Sequence, residues 1–337
     1  MPYPDIPTEG TSQTMRRPQD TILDTGSSDS QSINHMTVPV EEAFTEKLRE
    51  LRTLKLFSWN IWFGGREITD AHAKQTAVLN AEEADIVFLQ ECFGTAGQQL
   101  GRSTGMTVAQ QDYDCAVLSA SPIRLLKTDT TSYATAALVQ TRSGDVLAWS
   151  VHLAAWDYGP YRSDELPQNA REVFAQPGEQ KRTAEAEQVL AETQRLRTEL
   201  GDIQVIVAGD FNVPSGLDWA GEHRPALQWP ATQKFLDAGY TDAFRSAHPD
   251  PVQAPGLSWS QIETLENEPR DRIDFIFVLG MEVISADHLG GAADDADAPA
   301  DPGFTEYGGT AQHIPHQREN AFPSDHLAVR ATIRNRE

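Results

Sequence analysis

Two cysteines, Cys92 and Cys115, are all that this 337-residue chain contains. That is too few for the disulfide framework on which small secreted domains rely, and neither lies at a metal-ligand spacing, so both are expected as buried small hydrophobes. Long apolar runs are missing as well. None approaches the ~20 residues that span a bilayer, and no hydrophobic signal region opens the chain, so the expectation is a cytoplasmic protein without membrane insertion. Basic residues are scarce: 27 Lys and Arg face 50 Asp and Glu, a net charge of −23. A surface of that sign repels polyanions, and tight nucleic-acid binding depends on basic groups that displace counterions from phosphates. Nucleic acid is therefore disfavoured as a partner, although a divalent metal at an acidic site inverts the field locally and keeps that route open. No feature signals an obligate protein partner.

What is present suffices for a full core, since 39% of the residues are hydrophobic. Residues 1–38 are rich in Ser, Thr, Asp, Gly and Pro without apolar periodicity and are expected to form a disordered extension, leaving 39–337 as the folded domain. Within it, Ala43, Phe44, Leu48 and Leu51 recur at helical spacing, and Asp70 to Ala84 predicts a helix with Asp70 as N-cap. A long polar helix is predicted over Glu179 to Leu200, with Val189, Leu190 and Leu196 on one face, and a short one over Ala231 to Ala238, ended by Gly239. Strands are predicted at 54–62, 85–91, 116–119, 123–127, 134–141, 146–152, 205–208 and 272–278, and after His326. Between Ile273 and Gln317 there is no Lys or Arg, while Asp294, Asp295, Asp297 and Asp301 sit among alanines, glycines and prolines, so that segment reads as a solvated insertion.

The run Val205 to Ala208 passes through Gly209 into Asp210-Phe211-Asn212, and Pro214 and Gly216 then force a loop. Two residues apart, Asp210 and Asn212 leave an extended strand on the same side. A carboxylate there can accept a proton or bind a cation, and the amide beside it can donate to an oxyanion, a pairing suited to phosphoryl chemistry. Alone, the run would serve equally as an Asx turn. The pattern recurs, however. Asn60 closes one strand before Gly64-Gly65, Glu91 ends another, His152 a third, Asp274 sits near the start of a fourth, and Asp325-His326 immediately precede the last. Ligand sites in α/β proteins gather at strand ends, and Asp and Glu without thiolate suit Mg²⁺ or Mn²⁺.

The ordered series Trp59-Asn60, Gln90-Glu91, His152-Leu153, Gly209-Asp210-Phe211-Asn212, Arg272-Ile273-Asp274-Phe275 and Ser324-Asp325-His326 resembles the endonuclease/exonuclease/phosphatase superfamily over about Leu54 to Arg334. The resemblance implies an α/β fold, a four-layer α/β sandwich with two mixed β-sheets packed face to face and helices outside. It implies a metal-dependent phosphoric ester hydrolase, a phosphodiesterase or phosphatase, acting through a water without a covalent intermediate. It makes Glu91 the direct Mg²⁺ ligand, with Asn60 beside it and Asp325 helping through the metal or its waters. Asp210 would orient or deprotonate the attacking water, and Asn212 would donate to the phosphoryl oxygens. His326, held by Asp274, would accept the proton or stabilise the developing charge, and His152 would bind a non-bridging oxygen or protonate the leaving group. The general base stays open between Asp210 and His326. Asp114 departs from the family pattern, receives no role, and is expected as a surface or turn acid.

Substrate choice falls to two variable loops. Trp156, Tyr158, Tyr161 and Arg162 follow His152, and Trp219, His223, Arg224 and Trp229 follow Asn212. Together they are expected to form an aromatic pocket with one or two cations, suited to a small-molecule or lipid-like phosphoester. No basic stripe or groove-reading helix is visible. The alternatives are an endonuclease or exonuclease acting on DNA or RNA, and a non-catalytic binding module on the same fold.

Overall fold

Strands dominate the computed structural model, which describes residues 53–165, 168–220, 224–260, 270–292, 304–310 and 323–336. The stretch 1–38, the helix expected at 41–51, His223 and the acidic run at 294–301 lie outside the described residues. In chain order the strands are β1 Thr53–Asn60, β2 Ile86–Gln90, β3 Thr107–Gln110, β4 Ala116–Ser119, β5 Ile123–Leu126, β6 Ala134–Thr141, β7 Gly144–His152, β8 Gln204–Asp210, β9 Thr241–Asp242, β10 Asp274–Leu279, β11 Met281–Ala292, β12 Phe304–Thr310 and β13 Ala328–Asn335. They form a seven-stranded sheet in the order β12-β11-β13-β1-β2-β4-β3 and a six-stranded sheet in the order β5-β6-β7-β8-β10-β9. Both are mixed: β1 runs parallel to β2 and antiparallel to β13, and β8 runs parallel to β7 and antiparallel to β10.

Alternation along the strands sorts the apolar side chains into three cores and so produces the layers. Leu54, Leu56, Ile86 and Phe88 of the first sheet meet Ala148, Ile206, Ala208 and Ile276 of the second. The intervening residues Phe57, Trp59, Val87 and Leu89 point outward, where Val78 and Leu79 of α1 (Ala71–Glu82) and Leu100 of α2 (Ala96–Thr104) cover them. On the far side, Leu147, Trp149, Val205 and Val207 are covered by Val173 of α3 (Ala170–Phe174), Val189 and Leu196 of α4 (Pro177–Leu200) and Phe235 of α5 (Pro230–Asp237). The four-layer sandwich follows from this division. Among the described residues, no helix is long and apolar enough to cross a membrane.

The same parity places the polar strand ends. Asn60 follows Leu54 and Leu56 on their face, Gln90 follows Ile86 and Phe88, and Asp210 follows Ile206 and Ala208, so all three enter the gap between the sheets. Register in the second sheet then sets two more polar residues beside Asp210, because His152 of β7 pairs with Asp210 of β8, which pairs with Asp274 of β10. Gln90 spans the gap, donating to Ser150 Oγ at 3.0 Å. Gly209 permits the approach: it holds φ +149°, and a Cβ there would stand 1.9 Å from the Val151 carbonyl oxygen.

Two expectations need correction. Asp70 occupies the N-cap position of α1 with left-handed backbone, φ 56°, and makes no side-chain cap bond. Residues Met281–Ala292, expected as part of a solvated insertion, form β11 and pair with β13 from Met281↔Asn335 to Leu289↔Ala328. A bulge between Val283 and Ser285 breaks the apolar alternation there, which hides the strand from a period-two reading.

Candidate active site

Asp210 is the hub of the polar end of the sandwich. It is 1% exposed, its Oδ1 accepts the Asn212 backbone N–H at 2.8 Å, and its Oδ2 accepts from Asn60 Nδ2 at 3.1 Å. Two imidazoles face the same oxygen: His152 Nε2 and His326 Nε2 each stand 3.7 Å from it. Each ring is fixed from behind by a carboxylate on Nδ1, His152 by Asp114 Oδ2 and His326 by Asp274 Oδ2, both at 2.9 Å. Ser258 anchors the second pair by donating to Asp274 Oδ2 at 2.6 Å while accepting from the Ile273 and Asp274 backbone. Ser324 ties the last loop to β1 through the Asn60 carbonyl at 2.6 Å.

Burial sets the charges of this cluster. Burial, then the charge of Asp274, pushes Asp210 upward against the opposing pull of His326 and His152. Burial by itself would lower both histidines, but the neighbouring carboxylates outweigh it and hold each at about 10, with Asp114 leading for His152 and Asp274 for His326. Both rings are thereby imidazolium donors at neutral pH in the metal-free chain.

Asp114 was expected as a surface acid, and the structure corrects this. It is 7% exposed, and its second oxygen accepts the Glu91 backbone N–H at 2.8 Å, so one carboxylate positions both Glu91 and His152. Nothing local in Tyr113-Asp114 announces the role, because the partner histidine lies 38 residues away. Asp114→Asn is expected to lower the His152 pKa from about 10 in the metal-free protein, since burial persists while the largest raising charge is gone. NMR titration of the imidazole protons checks this, and turnover is expected to fall by roughly 10–100-fold, the usual cost of an orienting partner. A pKa left unchanged would show that the pair is not coupled.

The residues fit a divalent cation. Glu91, Asp114, Asp210, Asp274 and Asp325 set five carboxylates against two imidazoles, leaving excess negative charge even with both rings protonated. Asp325 accepts from Trp259 Nε1 at 3.2 Å with Oδ2, but its Oδ1 is buried without a hydrogen-bond partner among the described residues. Burial lifts Asp325 to about 6, with His326 opposing and Glu91 adding to the rise. A buried carboxylate oxygen without a hydrogen-bond partner is costly, and so is the charge of Glu91 that adds to the rise at Asp325; a hard cation relieves both. Asn60 differs from expectation: its Oδ1 accepts the Trp62 N–H at 3.0 Å, and its Nδ2 points at Glu91 Oε1 and Asp210 Oδ2, at 3.2 and 3.1 Å. In this orientation it spaces two carboxylates and turns its oxygen away from them. Asp210, Asp274 and His326 also bring ligand atoms within 4.8 Å of one another, but the His326–Asp274 hydrogen bond already joins two of them.

Asn212 adjoins the cluster through its backbone N–H on Asp210 Oδ1, and its side-chain amide donates to the Leu153 carbonyl at 2.9 Å. The two loops divide. Trp156 and Tyr161 are exposed, and Arg162 lies on the same surface turn. Tyr158 and Trp219 are buried and serve structure: the Tyr158 hydroxyl and the Trp219 indole N–H both donate to Asp271, at 2.9 and 3.1 Å, and Arg224 pairs with the same carboxylate at 3.3 Å. The expected pocket wall at Trp219 is therefore core, packed edge-on against Trp229. Asp271 itself was not anticipated, and it fastens the two loops together. Farther back, buried Arg182 holds the carbonyls of Ala154, Trp156 and Asp157 and pairs with Glu179, anchoring the loop after His152 to α4.

This sandwich with its acidic inter-sheet site defines a class, and the model of the Endonuclease/Exonuclease/phosphatase family matches residues 57–326. The chain belongs to that family, whose members are typically metal-dependent phosphoesterases. It is 28% identical over 302 residues to an uncharacterized protein of Caenorhabditis elegans, covering 82% of this chain and 90% of that one. Among solved structures, D. rerio TDP2 complexed with single strand DNA product is similar at TM-score 0.53 and 17% identity, covering 84% of this chain and 99% of the other. The endonuclease/exonuclease/phosphatase from Bacteroides vulgatus gives 0.52 and 15%, again with 84% and 99% covered. At these identities the likeness establishes a shared fold.

Proposed function

We propose that this protein is a Mg²⁺-dependent hydrolase of a compact phosphoester, with Mn²⁺ as a competent substitute. The observation that carries the reading is the surplus of buried carboxylates around Asp210, two of them flanked by donor imidazoles. Glu91 and Asp325 would hold the cation, which when bound neutralises charge on the phosphoryl oxygens and polarises phosphorus. Asp210, midway between the two rings, takes the proton of the attacking water. His326 and His152 present N–H donors to the phosphoryl oxygens and the leaving group, and Asp274 and Asp114 keep them aimed.

A compact substrate is favoured because four of the arginines packed around these loops are already engaged. Arg182, Arg224, Arg245 and Arg272 each pair with an internal carboxylate, which leaves little to track a polyanion backbone. The TDP2 structure with single strand DNA product makes a nucleic-acid phosphodiester the second reading. Incubation with Mg²⁺ and a panel of small phosphomonoesters and phosphodiesters, alongside plasmid and single-stranded DNA, separates the two. Turnover of small esters is expected; cleavage of DNA alone, abolished by Asn212→Ala, would replace this reading with the nuclease one. Silence on every substrate would return the binding-module alternative.

A further inference from the structure

Three aromatic rings from separate segments stack in series beside Glu91. The Phe63 and Phe93 centroids lie 5.5 Å apart at 20°, and those of Phe93 and Tyr113 5.6 Å apart at 25°. The outer two are open to solvent, Phe63 at 43% and Tyr113 at 53%. Each is wired to the site. The Phe63 N–H donates to Glu91 Oε2 at 2.5 Å, Phe93 lies two residues beyond Glu91, and Tyr113 adjoins Asp114 and accepts the Gly94 N–H at 2.8 Å. Trp62, Phe63, Glu91 and Phe93 all hold positive φ, at 51°, 50°, 58° and 34°. Bulky L-residues adopt that region only where the surroundings impose it, and such strain gathers at ligand sites. Phenylalanine is ordinarily buried, so an exposed Phe63 held at positive φ next to Glu91, stacked in line with Phe93 and the exposed Tyr113, points to a ligand.

We propose that the Phe63–Phe93–Tyr113 ledge is a subsite that stacks a planar aromatic ring carried by the phosphoester, a nucleobase being the natural case. This rests on the hydrolase reading and supplies its substrate class. Near-parallel offset rings extend by one more parallel ring, whereas an alkyl chain has no use for serial stacking. Arg66 Nη2, 3.5 Å from the Phe93 carbonyl oxygen, places a cation at the same rim. Stacking engages the face of a base and not its edge, so the subsite tolerates any base.

Calorimetric titration of the Mg²⁺-supplemented full-length protein with AMP and with ribose phosphate tests the subsite apart from turnover. The wild type is expected to bind AMP about ten-fold more tightly, a typical gain for one stacked base. Phe63→Ala or Tyr113→Ala, whichever ring receives the base, is expected to erase that preference while ribose phosphate binding stays; Phe63→Tyr and Tyr113→Phe keep it. Equal affinity for the two ligands in the wild type, binding of neither, or parallel loss of both in the alanine variants overturns the proposal. Oligothymidylates then separate the sources of the ring: affinity that climbs with length assigns it to single-stranded nucleic acid, and a flat response to a free nucleotide. Base-selective binding without turnover of any phosphoester leaves the ledge standing and removes the hydrolase reading instead.

Discussion

Asp210→Asn is expected to lower kcat by about 10³-fold or more at saturating Mg²⁺, the range lost with a general base, while the fold is kept. The substitution is nearly isosteric. The oxygen that accepts the Asn212 N–H survives, but the carboxylate facing both imidazoles, at 3.7 Å from each, does not. Stability should move the other way in the metal-free protein. Burial raises the Asp210 pKa in the folded chain above its ordinary value of 3.8, so the unfolded chain releases this proton first. Ionised Asp210 therefore subtracts stability as pH rises through that window, and the penalty is complete above the folded pKa. Asparagine removes it, and the melting temperature at neutral pH is expected to hold or rise. The same variant addresses the base. With Asp210 in that role, the acid limb of the kcat/KM profile survives His326→Gln and disappears in Asp210→Asn; the reverse assigns the base to His326. Wild-type kcat in Asp210→Asn would place the chemistry elsewhere.

Glu91→Ala is expected to abolish the thermal stabilisation that Mg²⁺ gives the wild type, about 2.7 kcal/mol when the ion is at a hundred times its Kd. Glu91 reaches the site from a left-handed residue just past β2, positioned by the Asp114 bond to its N–H and by the Asn60 amide on Oε1. Without it, the carboxylate oxygens left buried without a hydrogen-bond partner among the described residues of the cluster are Asp325 Oδ1 and Asp274 Oδ1, too few hard donors at the Glu91 position for a cation that keeps most of its waters. Scanning calorimetry across a Mg²⁺ series reads the effect without any substrate. A shift equal to that of the wild type would move the cation away from Glu91, toward the Asp210, Asp274 and His326 cluster.

Much of the sandwich was legible because its determinants are local. Period-two alternation in 54–62, 85–91 and 205–210 marks which residues face the neighbouring sheet, and a polar residue at the end of each alternation marks the rim of the inter-sheet core. Elements whose pattern is interrupted escaped. The bulge after Val283 disguised β11, and the four residues of β3 are too few to show a period. The loops were read least well. Composition cannot distinguish Trp156, which is exposed, from Trp219, which donates to a buried carboxylate 52 residues away.

The sequence alone determined the order of polar strand ends and the faces they take, since side-chain direction along a strand repeats every two residues whatever the chain does elsewhere. Tertiary structure decided the register that sets His152, Asp210 and Asp274 side by side, the enlistment of Asp114, the turn of the Asn60 amide, and the ring ledge beside Glu91. Those depend on distances between segments far apart in the chain, which packing of the two sheets establishes and no local pattern encodes.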